Sequence, residues 1–184
     1  MAQEKAVESV GRETIGAEDS TEGTFPLPES EAVQDLLAGL LGRGVVVREV
    51  KPQGLISLDP RTVATYIADD ASLAALCTCD LTLACHAGAA LSLIPPPAAL
   101  ESIRRTLIDE YIQDNLREVM NVAASWFNRD GFPHVKLRAV HMPKERLPDD
   151  VKTLLAEPAA RQDLELDLEG YGSGKLTLVV ARVS

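Results

Sequence analysis

The sequence predicts an α+β domain with helices packed on a mostly antiparallel sheet. Three observations lead to that expectation. Asp163-Leu164-Glu165-Leu166-Asp167-Leu168-Glu169 alternates acid and leucine, the period of a half-buried strand, and Gly170-Tyr171-Gly172-Ser173-Gly174 turns it into a returning strand over 175–183. The runs 62–68 and 72–79 flank Asp69-Asp70 and read as a second hairpin. Between the two hairpins, residues 98–128 hold the longest helical pattern.

The remaining elements follow in chain order. Residues 1–28 are acidic and polar and read as a flexible leader before a single domain over 29–184. A first helix is expected over 29–41, with Ser30 as N-cap, an apolar stripe at Val33, Leu36, Leu37, Leu40 and Leu41, and Gly42 closing it. Val45 to Val50 reads as a strand and Pro52-Gln53-Gly54 as the turn after it. Asp80 caps a helix running to about Leu93, which Pro95-Pro96-Pro97 ends. In the long helical region the apolar face switches sides near 110–114, so the pattern is either two helices with a break there or one helix packed on opposite sides at its two ends; one continuous helix is the expectation. His134 to His141 alternates as a strand, and 148–155 forms a short connecting helix.

Composition excludes several function classes. The formal charge of −10 disfavours non-specific nucleic-acid binding and docking on anionic membranes. The first twenty residues lack the apolar core of a signal peptide, and no apolar run reaches the 18 residues of a membrane span. Three cysteines within nine residues form no disulfide framework and fit a reducing compartment, so a cytoplasmic location is expected.

The chemistry-bearing candidates are few. No Gly-x-Ser-x-Gly, Walker or Gly-x-Gly-x-x-Gly pattern is present. Cys77, Cys79, Cys85 and His86 lack zinc-ligand spacing, and the three cysteines are expected in the core as small hydrophobes. His134 and His141 fall on opposite faces of one strand. The ladder Asp163, Glu165, Asp167 and Glu169 spreads its carboxylates along a strand and is expected to face solvent, not to hold a metal. Glu118 and Asn121 differ from these. With Leu116 at the centre, Ile112, Val119, Met120, Ala123 and Phe127 fall within about 60° on one helical face. Asp114, Glu118, Asn121 and Ser125 fall opposite, so a carboxylate and a carboxamide are presented together, one turn apart.

On these residues the chain resembles the CheC/CheX family of chemotaxis phosphatases, and within it the CheX-type members. Glu118-Val119-Met120-Asn121 matches the family's Glu-x-x-Asn motif on a long helix, after a strand and an Ala-rich helix and before a strand and a terminal hairpin. The resemblance spans about 29–183; Glu31-Ala32-Val33-Gln34 is no second motif, so it implies one site. It implies a two-component signalling hydrolase that removes phosphate from the aspartyl phosphate of a CheY-like response regulator. Asn121 would orient the attacking water and Glu118 would pair with a lysine of the regulator. The regulator would supply its own Mg²⁺, with no cofactor on this chain. The other functional expectation is a catalytically inactive binding or scaffold module for such a regulator. A homodimer through Leu100, Ile103, Leu107 and Tyr111 is compatible with both.

Overall fold

The computed structural model describes residues 23–52 and 61–183; most of the expected leader and the turn at Gln53-Gly54 lie outside them. The elements run α1 (Ser30–Leu41), β1 (Val45–Glu49), β2 (Arg61–Ala68), β3 (Leu73–Asp80), α2 (Leu81–Leu91), α3 (Pro96–Arg105), α4 (Glu110–Ala123), β4 (Val135–His141), α5 (Asp149–Ala156), β5 (Ala160–Leu168) and β6 (Gly172–Val180). A 3₁₀ turn, Ala124–Phe127, follows α4 directly. The six strands form one sheet in the order β1-β5-β6-β3-β2-β4, with every neighbouring pair antiparallel. Both expected hairpins are its β2–β3 and β5–β6 pairs.

Strand alternation decides which side chains meet the helices. Ala64, Tyr66, Cys77, Cys79, Leu164, Leu166, Leu168, Leu176 and Leu178 point into the main core, shared with α1, α2 and α4. The opposite parity, Val63, Leu76 and Val179, meets Val151 and Leu154 of α5 on the other face. With so few aromatics, the core is filled by aliphatic side chains, each worth about 1.5–3 kcal/mol on leaving water. All three cysteines are free and buried. Burial pushes their thiols up, Cys85 to about 12, so they behave as small hydrophobes rather than nucleophiles.

Four local expectations need correction. The single helix expected over 98–128 is two, because Thr106 takes a left-handed conformation (φ 54°) and ends α3. There the Thr106 N–H donates to the Ile103 carbonyl and the Leu107 N–H to that of Ser102, the paired bonds of a helix stop. Asp109 then accepts from Ser102 Oγ and Arg105, fixing the corner where the apolar face changed sides. Pro96 and Pro97 open α3 rather than ending α2, since proline's fixed φ and missing N–H suit a first helical turn. Ser30 does not cap α1; Glu29 occupies the N-cap, and Ser30 Oγ donates instead to Glu49 Oε1 at 2.9 Å. Asp163 does not face solvent with the rest of its ladder: it is buried, gripped by Arg161 in two 2.6 Å hydrogen bonds and by Thr177 Oγ1 at 2.8 Å. Asp80, by contrast, caps α2 as expected, its carboxylate accepting from the Leu83 N–H at 2.7 Å.

At the N-terminal end of the described chain, Gly23 to Pro28 lies against the domain. Phe25 is buried, its N–H donates to the Ala181 carbonyl, and Arg129 reaches the Leu27 carbonyl.

His86 sits inside α2, buried under the β5–β6 turn, with Gly172 beside its ring and Tyr171 6.2 Å away centroid to centroid. Neither ring nitrogen makes a well-formed hydrogen bond to a described residue. Burial therefore depresses its pKa below the usual value; the Gly172 backbone and the Asp80 charge offset this only in part. A histidine held neutral in the fold takes up its proton more readily when unfolded. Its contribution is complete above about pH 6.5 and declines as pH falls through that value. Urea denaturation at pH 7.5 and 5.5 is expected to show the native chain losing more stability over this interval than His86→Leu; equal losses would count against this account.

Candidate functional site on helix α4

Helix α4 is strongly two-sided, and the two sides have different tasks. Ile112, Leu116, Val119, Met120 and Ala123 are buried against α2 and the sheet. Tyr111, Asp114, Glu118 and Asn121 are exposed and lie within about 80° of one another on the opposite face. The carboxylate and carboxamide expected to act together are therefore side by side on the surface, with Cβ atoms about 5–6 Å apart by helical spacing. Neither side chain has a hydrogen bond or ion pair with another described residue. The adjacent cation, Arg117, is held by Asp114 at 2.7 Å and does not neutralise Glu118. Ser125, expected on the same face, is exposed, with its hydroxyl donating to the Val122 carbonyl at 2.9 Å. Asp114 and Ser125 are thus occupied, while Glu118 and Asn121 are available.

The helix beneath this pair is pinned at three points. Tyr66, fully buried on β2, donates its hydroxyl to the Met120 carbonyl at 2.9 Å. Met120's carbonyl is open to it because the chain tightens to 3₁₀ geometry at Ala124, whose N–H turns to the Asn121 carbonyl. Burial holds the Tyr66 phenol protonated, so it remains a donor. One turn earlier, Asn115 Nδ2 donates to the Gly88 carbonyl of α2 at 2.9 Å, and its Oδ1 accepts from Ser92 Oγ at 3.0 Å. At Gly88 itself the two backbones nearly touch. After α4, the Asn128 side chain closes the turn, donating to the Val135 carbonyl at 2.9 Å and accepting from the Val135 N–H at 2.7 Å. These bonds hold the backbone from which the pair projects.

Sequence reasoning did not find Tyr66, Gly88 or Asn115 as supports. Gly88, the one glycine among the alanines of α2, was the available signal. The other candidates lie apart from α4's exposed face: His134 precedes β4 and His141 ends it, while Asp163, Glu165 and Asp167 are on β5 and Glu169 follows it. Among the described residues, no three histidine, cysteine or carboxylate side chains converge as metal ligands do. Among them, too, no helix is long and apolar enough to cross a membrane.

No family model matches this sequence, and no curated protein matches it. Solved structures do. FliM from H. pylori, in its complex with SpeE, overlaps with a TM-score of 0.57 at 8% identity, covering 83% of this chain and 81% of that one. The FliM middle domain from Vibrio alginolyticus overlaps at 0.55, with 8% identity over 83% of this chain and 88% of that one. A chemotaxis protein CheX from Desulfovibrio desulfuricans overlaps more loosely, at 0.47, with 13% identity over 82% and 94%. At such identities the likeness is one of fold: the chain has the α+β fold of FliM middle domains.

Proposed function

We propose that this chain hydrolyses the aspartyl phosphate of a CheY-like receiver domain, using the exposed face of α4. One observation carries the reading: Glu118 and Asn121 stand together, exposed and without a described partner, on a helix fixed from below by Tyr66 and Asn115. An acyl phosphate is already activated, and a receiver brings its own Mg²⁺, so the chain needs only to bring a water in line with phosphorus. A carboxamide suits this task, since its oxygen accepts a hydrogen bond from the water while its nitrogen donates to a neighbouring oxygen. Water's oxygen bonds to phosphorus, the bond to the aspartyl oxygen breaks, and the receiver regains its carboxylate. Glu118 meets a lysine beside the phosphorylation site in a charge-assisted pair that sets the register. No nucleophile of this chain takes part.

A second reading is favoured by the fold overlap. Two of the matching FliM structures are complexes with proteins, SpeE and FliG. A chain of this fold can hold a partner without chemistry, and Glu118 and Asn121 would then be contact residues only.

Steady-state phosphate release separates the two. Receiver domains of the source genome are charged with acetyl phosphate and Mg²⁺, and the chain is added at one-twentieth of their concentration. Faster phosphate release with one of them supports hydrolysis. Complex formation with an unchanged release rate supports the binding module.

A further inference from the structure

We propose that the groove beside Tyr111 anchors the same partner that Glu118 and Asn121 meet, a protein presenting an apolar side chain within a basic rim. The proposal rests on the function proposed above and adds a residue that binds without touching the reacting atoms.

Tyr111 lies seven residues before Glu118, only about 20° away around α4 and about 10.5 Å along it. It is 81% exposed and stands at the edge of a groove of about 420 Å³ floored by Ile94, Ala98 and Ile112. Leu93, between two lining residues of this groove, is 73% exposed and has φ +57°, a conformation suited to glycine. That conformation ends α2, the Leu93 N–H donating to the Ala90 carbonyl and the Ile94 N–H to that of Ala89. Yet a glycine would serve there with less strain, and the leucine side chain is displayed to water. Leu107, in the turn before α4, is also exposed, at 58%.

Size links the groove to the Glu118–Asn121 pair. A stable interface covers about 800 Å² of each partner, a disc of about 16 Å radius. Centred on Glu118, such a disc includes Tyr111. Tyrosine is also among the side chains that most often carry binding energy at protein interfaces.

Charge selects the occupant. Asp109, Glu110, Asp114 and Glu118 run along this edge of α4, while Arg105 is held by Asp109 and Arg117 by Asp114. Glu110 and Glu118 remain without a cation among the described residues. A second copy packed here about a two-fold axis would set these acids against each other. A partner with a basic rim meets them favourably, and the lysine expected opposite Glu118 belongs to that rim.

The test measures binding and turnover separately on the full chain. Receiver domains of the source genome are activated with beryllofluoride and Mg²⁺ for titration calorimetry, and charged with acetyl phosphate for turnover. Tyr111→Ala is expected to weaken binding about 30-fold and raise KM by the same factor, with kcat unchanged. Leu93→Gly is expected to keep or raise Tm, since it relieves the left-handed residue, while weakening binding. Affinities within two-fold of the native chain for both variants would overturn the proposal, even if hydrolysis proceeds. Tyr111-dependent binding without hydrolysis would keep the groove and remove the hydrolase. Absence of binding to every receiver would overturn both. A dimer by light scattering that Tyr111→Asp dissociates would assign the groove to a second copy and also overturn the proposal.

Discussion

Asn121→Ala is expected to leave the fold and the affinity for a phosphorylated receiver unchanged and to slow hydrolysis by about 10²–10³, the loss seen when one positioned transition-state donor is removed. Asn121 is exposed and its side chain has no bond within the described chain, so truncation opens no cavity and strands no buried group. The loss should appear in kcat alone, because the carboxamide acts on a water that is in place only during reaction. Glu118→Gln should behave in the opposite manner, raising KM more than it lowers kcat, since it removes a charge from the docking contact. Rapid-quench measurement of phosphorylated receiver against time, over a range of chain concentrations, separates the two parameters. If both variants changed the same parameter by the same factor, the division of labour proposed for them would be wrong.

Gly88→Val is expected to give the largest loss of stability from a single substitution near the site. A Cβ at Gly88 would lie 2.4 Å from the Ile112 carbonyl oxygen and 2.8 Å from Ile112 Cγ2. The first of these is backbone of α4 and cannot rotate away, so α2 and α4 must separate. Overpacking of this kind costs about 3 kcal/mol or more, about 10 °C in Tm for a chain of this size. Separation would also stretch the Asn115–Gly88 bond and shift Glu118 and Asn121, so activity should fall at temperatures where the variant is still folded. Gly39→Ala provides the contrast. It lies on the exposed side of α1 with nothing within 4 Å of the added methyl, and should gain up to about 1 kcal/mol from helix propensity. Thermal unfolding of both variants by circular dichroism reads both effects; a Gly88→Val transition at the native temperature would contradict the close helix crossing.

Much of the site was legible because α4 is governed by one local rule. Its apolar and polar residues alternate with helical period, so the burial of Leu116, Val119 and Met120 and the exposure of Glu118 and Asn121 followed from spacing. What was missed depends on contacts between distant parts of the chain. The end of α3 at Thr106 uses residues that a helix tolerates, and only the face switch hinted at it. Ser30 is a good cap by type, but a glutamate 19 residues away competes for its hydroxyl. Asp163 reads as one rung of an exposed ladder until strand register sets Thr177 opposite it, with Arg161 on the same face. Tyr66 reaches Met120 across 54 residues, a link that no local pattern contains. Four residues on one helix say little about the other layers, which share the fold of FliM middle domains at only 8% identity.

The proposed hydrolysis requires α4 to position a water for attack on an acyl phosphate. Single-turnover decay of a phosphorylated receiver, mixed with saturating chain at fixed Mg²⁺, isolates that step. Decay is expected at least a hundred-fold faster with the native chain than with Asn121→Ala, whose trace should approach that of the receiver alone. Superimposable traces for the native chain, the variant and the receiver alone, in a mixture shown to contain the complex, would contradict it.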